Sequence, residues 1–125
     1  RKIIWIDSVD QASLYKIRTN LLNRLSDCTA VFCYNDHVAY NLIRLLNRDF
    51  AMVPDKLSVI GIDGSELSTM TDPQITTIPH PMMEMGVRCA DHMLHMISDP
   101  DFDAAYMYCP DIVERGSVSN NFGDK

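Results

Sequence analysis

The chain has 125 residues, 46% of them apolar, which suffices for one compact core and falls near the common size of a single domain. A formal charge of −6 argues against a phosphate-binding face, which needs clustered Lys and Arg to release counterions, so the chain is not expected to bind DNA by itself. No apolar run approaches the roughly 20 residues that span a bilayer, and Cys28, Cys33, Cys89 and Cys109 contain no C-x-x-C pair, so reduced thiols in a cytoplasmic protein are expected.

Ile3 to Ile6 is a short apolar run containing Trp5 and suits a strand buried on both faces, with Trp5 in the core. No initiator methionine or signal peptide precedes it, so the chain is expected to be a piece of a longer protein. From Ser13 the period changes: Leu14, Ile17, Leu21, Leu22 and Leu25 recur at intervals of three and four and share a helical stripe. Ala30 to Tyr34 is the next strand. It leads into a helix carrying Val38, Ala39, Leu42, Ile43, Leu45 and Leu46, with Asn35 or Asp36 available as N-cap.

Leu57 to Ile62 is the third strand, and the alternation implies parallel strands joined by right-handed crossovers. Gly64 to Pro73 is a polar connection to a fourth strand, Gln74 to Ile78, which Pro79 and Pro81 stop because neither donates a backbone hydrogen bond. Met82, Met85, Cys89, Met93 and Met96 then form a helical stripe. Asp99 to Asp103 reads as a solvated loop, Tyr106 to Val113 as a last strand interrupted by Pro110, and residues 120–125 as a disordered tail after one folded unit over residues 1–119. The fold class is therefore α/β, a parallel sheet flanked by helices.

Two strands end alike, Tyr34 running into Asn35-Asp36 and Ile62 into Asp63-Gly64. In open α/β sheets ligands sit outside the carboxyl ends of parallel strands, so Asn35 and Asp63 are candidate contacts. An amide that donates and accepts beside a carboxylate that only accepts suits a ligand with neighbouring hydroxyls, such as a sugar. The same residues also suit a helix cap and a turn for purely local reasons. By the strand-end argument Asp7 and Ser8 could also face this site, and His80 could be a contact or a polar turn residue. His92 and His95 with Asp91 lack a fourth ligand and read as surface residues rather than a metal site. No nucleophile with its base, phosphate loop or metal motif is present, so neither catalysis nor a cofactor is expected.

The blocks Thr29 to Ala39, Val53 to Asp63, Pro73 to Ile78, Met85-Gly86 and Ile112 to Ser117 together resemble the effector-binding domain of lactose/galactose-type transcriptional repressors. The resemblance implies a two-lobed, periplasmic-binding-protein-like fold with a sugar between the lobes. This chain would supply most of the carboxyl-terminal lobe and a stretch from about Gln74 to Pro100 crossing to the other lobe. It further implies Asn35 and Asp63 as ligand contacts and His80 and Met82 as pocket-lining residues, although members typically carry a glutamine near His80 and often an aromatic near Met82. Tyr40, Asn41 and Arg44 would lie at a homodimer contact. The Cys-Tyr-Asn-Asp wording and His80-Pro81 look more like the arabinose-repressor type. A gluconate-repressor-type winged-helix head elsewhere in the protein would then bind DNA, and L-arabinose or a related pentose would be the first ligand to test. A sugar receptor of a transporter is the alternative with the same fold.

Overall fold

The computed structural model describes residues 2–6, 10–48 and 52–120. Helix α1 (Gln11–Leu25) is started by Asp10, whose carboxylate accepts the amide of Ser13 at 2.9 Å, and it buries Leu14, Leu21 and Leu25. Strand β1 (Ala30–Phe32) leads to α2 (Asp36–Asn47), the most buried helix, whose Ala39, Leu42, Ile43, Leu45 and Leu46 are all inside. Each of its four large aliphatic side chains contributes about 1.5–3 kcal/mol by leaving water. Strand β2 (Ser58–Asp63), a 3-10 turn (Glu66–Thr69), strand β3 (Thr76–Pro79) and helix α3 (Met82–Ser98) follow.

The three strands form one parallel sheet in the order β1-β2-β3, with Val31 opposite Val59, Ile60 opposite Thr76 and Gly61 opposite Thr77. Alternation along the strands turns Val31, Val59, Gly61 and Thr77 to the face that α2 covers, with α1 packed on α2. The opposite face carries Phe32, Ile60, Ile62 and Ile78 and is only partly covered among the described residues, Phe32 remaining 60% exposed.

Two expected strands are not formed. Residues 3–6 carry no ladder and only alternate: Ile4 and Ile6 lean on the core while Ile3 and Trp5 face solvent, Trp5 at 87% exposure. The apolar run therefore has one packed face, not two, and Trp5 is not a core residue. The stretch from Tyr106 to Val113 reduces to a single antiparallel bridge between Val113 and Thr77. Of the expected tail, residues 121–125 lie outside the described residues.

Helix α3 buries none of its residues. One flank is strapped by the segment that follows it: Phe102 stacks on His95 and meets His92 edge-on, and Arg88 lies over the ring of Tyr106. Met83, Val87, Leu94 and Ile97, spaced four, seven and three apart and so on one helical face, stay exposed. Cys89, expected on an apolar face, is exposed as well, whereas Cys33 is buried, and desolvation, with Asp36 nearby, pushes its thiol up to about 12.

One buried carboxyl group ties these parts together. Asp36, at the start of α2, is fully buried; its Oδ2 accepts from the Ser65 amide at 2.7 Å and the Ser65 hydroxyl at 3.2 Å, and its Oδ1 accepts from Thr77 Oγ1 at 2.6 Å. Gly61 makes room for it, because a Cβ there would stand 2.3 Å from Asp36 Oδ1 and 3.2 Å from its Cα. At the other end of the sheet Ser117 joins β2 to β3, donating to Val59 O and accepting from the Thr76 amide at 2.8 Å. Arg115 donates to Ile75 O at 2.7 Å and to the buried Ser68 hydroxyl at 3.1 Å. Replacing Asp36 by Ala strands three donors in the interior and is expected to lower the free energy of unfolding by about 3 kcal/mol, read by urea denaturation against the parent.

Candidate functional site

The carboxyl ends of the three strands meet in a row. Asp63 is opposite Pro79 in the β2-β3 register, and Asn35 stands three residues beyond Phe32, the last residue of β1 paired with β2. Adjacent strands are about 4.8 Å apart, so the segments that leave them start close together.

Asn35 serves first as a cap: with extended backbone, its Oδ1 accepts the Val38 amide at 2.9 Å. The local role weighed from the sequence is therefore real, and what it leaves for a ligand is the amide nitrogen, a donor. Asp63 is different. Its φ of 109° lies in a region that side chains disfavour, and Gly64 follows at φ 67°, where an added Cβ would sit 2.6 Å from the Pro79 side chain. Two successive residues with positive φ turn the chain sharply out of β2 toward Ser65 and the Asp36 carboxyl. The strain at Asp63 is of the kind that collects at binding sites.

His80 joins the same group. Its amide donates to Asp63 O at 3.1 Å, its Nε2 lies 3.4 Å from Asp63 Oδ1, and its carbonyl accepts the Met82 amide at 2.8 Å. Both side chains are about half exposed. Met82, the first residue of α3, and Tyr34, the last before Asn35, are exposed at 73% and 83% and flank the row. Asp7 lies outside the described residues, as does Ser8. The structure thus joins Asp63 and His80 on an open shelf, with Met82 next to His80, and leaves Asn35 at the end of the neighbouring strand's extension, where no contact to the other two is formed among the described residues. The shelf is floored by Asp36, Thr77 and Gly64, linked through Thr77 Oγ1, which donates to Asp36 and accepts the Gly64 amide at 3.3 Å.

Sequence reasoning treated Asp36 only as a possible cap. Its position facing Gly61 and the second threonine of the Thr76-Thr77 pair is the signal that could have marked it as the floor, since a buried carboxyl needs both space and donors.

Two surface clefts lie away from the shelf. One, of about 340 Å³, separates Ile4, Trp5 and Ile6 from the Ser13, Lys16, Ile17, Asn20 and Arg24 side of α1. The other, of about 450 Å³, is lined by Tyr40, Ile43, Arg44, Arg48, Met70 and Asp72 among others. On that rim Arg44 lies over the Tyr40 ring and donates to its hydroxyl at 3.1 Å. Asn41, grouped with them from the sequence, points the other way; it is 5% exposed and its amide donates to His37 O at 3.2 Å. His92 and His95 are engaged in the aromatic strap, and among the described residues no group of three or more metal-binding side chains forms. No helix among the described residues is long and apolar enough to cross a membrane.

Comparison with known proteins agrees with this architecture. A family profile described as periplasmic binding protein-like domain matches residues 3–118. The arabinose metabolism transcriptional repressor of Geobacillus stearothermophilus is 36% identical over 92 residues, 72% of this chain and 25% of the repressor. The HTH-type transcriptional regulator GalR of Salmonella typhimurium is 31% identical over 119 residues, 94% of this chain and 35% of the regulator. The chain thus spans only about a quarter to a third of the curated relatives it matches. Among solved structures, a LacI family transcriptional regulator from Silicibacter pomeroyi superposes with a TM-score of 0.74 at 22% identity, covering 94% of this chain and 42% of that one, which speaks for the fold alone. A LacI family regulator from Enterococcus faecium with bound ribose gives 0.69 at 29% identity, covering 88% and 41%.

The strained residue supplies its own test. Asp63→Gly relieves the disfavoured backbone and is expected to raise unfolding stability by about 1 kcal/mol in thermal denaturation, a gain that a residue selected for stability alone would not leave unused.

Proposed function

Because this chain belongs to the periplasmic binding protein-like domain family, in the effector-binding form carried by LacI/GalR transcriptional regulators, we propose that its strand-end shelf takes up part of a sugar and passes the event on to a DNA-binding segment elsewhere in the protein. The observation that carries this reading is the contact of Asp63, at positive φ at the end of β2, with His80 just past β3, beside a parallel sheet whose first strand leads into Asn35. An amide donor, a carboxylate acceptor and an imidazole that can do either match neighbouring hydroxyls, each of which donates one hydrogen bond and accepts others. Met82 and Tyr34 offer apolar area beside them for the C–H face of a sugar ring. Asp7 remains a further proposed contact.

The relatives' names favour a regulator over an enzyme or a transport receptor, and a regulator acting on DNA works in the cytoplasm. The shelf is open and would need a second surface to enclose a ligand. The isolated 125-residue chain is therefore expected to bind sugars weakly, and the intact protein to bind them well. L-arabinose is the first candidate, given the likeness to an arabinose repressor. Binding acts by population shift, since a ligand that prefers one arrangement of the protein draws the ensemble toward it in proportion to that preference.

In the intact protein a thermal-shift screen of pentoses and hexoses should raise the melting temperature for at least one sugar, because a ligand that binds only the folded state must stabilise it. Asp63→Asn, which replaces an acceptor oxygen by a donor of the same shape, should abolish that shift. An unchanged response in the variant would take Asp63 out of the site.

The Tyr40 and Arg44 rim, continuous with the cleft that includes Met70, is proposed as a homodimer contact, Asn41 supporting it from inside. Arg44→Glu is expected to move the intact protein from dimer toward monomer in sedimentation velocity while leaving its circular dichroism unchanged. A variant that stays dimeric argues for another interface.

A further inference from the structure

We propose that Thr77 is a positioning residue of the effector site, its hydroxyl holding the peptide that follows Asp63 so that the Asp63 carboxylate meets the ligand in one orientation; the inference rests on the reading that Asp63 contacts the effector. Thr77 is buried in β3 opposite Gly61, two residues before the Pro79 that stands opposite Asp63. Its hydroxyl both donates and accepts. The proton goes to Asp36 Oδ1 at 2.6 Å, and the oxygen accepts the Gly64 amide at 3.3 Å.

The peptide between Asp63 and Gly64 is therefore gripped at both ends. Its N–H is bound by Thr77, and its carbonyl oxygen, that of Asp63, accepts the His80 amide at 3.1 Å. The next amide, that of Ser65, is fixed in turn by Asp36 Oδ2 at 2.7 Å. Since β2 fixes the peptide ahead of Asp63 and these bonds fix the two behind it, the residue between has to bridge them at φ 109°, where its side chain is disfavoured. A Cα whose flanking peptides are both fixed leaves its Cβ one direction only.

Without the Thr77 hydroxyl the strained residue has less to hold it there. A conformer of such cost, once released, keeps roughly a tenth of its population, and apparent affinity falls by the same factor when only that conformer binds. A hydroxyl that served stability alone would lower the melting temperature and leave the affinity of the folded protein untouched.

The test uses the intact protein, well below the melting temperature of every variant, with calorimetric affinity for L-arabinose or for the sugar giving the largest thermal shift. Thr77→Val keeps the shape and removes the hydroxyl; affinity should fall roughly tenfold, and Thr77→Ser, which keeps the hydroxyl, should recover most of it. Without ligand, the Asp63 Cα resonance, which reports the backbone angle, should move in Thr77→Val and return in Thr77→Ser. If Thr77→Val does not fold, Thr77→Cys, of similar size with only a weak S–H donor, carries the same comparison. Unchanged affinity in a folded variant lacking the hydroxyl, a loss that Thr77→Ser shares in full, or an Asp63 resonance that ignores residue 77 overturns the proposal while the effector reading stands. A parent protein that binds no pentose or hexose overturns the effector reading, and the proposal falls with it.

Discussion

The carboxyl group of Asp36 is buried at the point where α2 begins, β2 has just ended and β3 passes, and donors from the last two reach it. Placing such a group in the interior costs several kcal/mol unless its hydrogen bonds are complete, and here three donors complete them. The arrangement constrains its neighbours in turn. Residue 61 must lack a side chain, residue 77 must present a hydroxyl on the helix side of its strand, and the chain leaving β2 must turn sharply enough to deliver the Ser65 amide. Asp63 and Gly64 make that turn at positive φ.

The shelf above is a consequence of this buried knot. Asn35 precedes Asp36 directly, Asp63 begins the turn that Ser65 completes, and His80 follows the strand that holds Thr77. Each exposed polar group is thus within three residues of one that is locked inside. Groups held this way have little freedom left to lose, the condition under which a few hydrogen bonds on an open surface can contribute net affinity to the binding proposed above. The same geometry links the shelf to α3. His80 adjoins that helix through Pro81, and its carbonyl accepts the Met82 amide at the start of a helix whose Met83, Val87, Leu94 and Ile97 stripe is uncovered among the described residues.

Much of this was readable from residue order. The stripes beginning at Leu14, Val38 and Met82 give the three helices, and the runs ending at Tyr34, Ile62 and Ile78 give the three strands, because periods of 3.6 and 2 are imposed by backbone geometry before any tertiary contact forms. Ile3 to Ile6 and Tyr106 to Val113 were read as strands and are not. An apolar run reports a wish for burial, but a ladder also needs a neighbouring strand with free backbone groups, and local composition says nothing about one. Trp5 and Cys89 stand outside for the same reason, since burial is a property of what lies opposite.

The sequence by itself determined the order of elements, the parallel sheet and the strand ends at which Asn35 and Asp63 stand, all of which follow from short-range patterns. Tertiary structure alone decided that Asp63 pairs with His80 and that Asp36 is buried against Ser65 and Thr77. Those facts depend on contacts between residues 17 to 41 positions apart, and only the register of three strands and the packing of one helix against them brings such partners within hydrogen-bond distance.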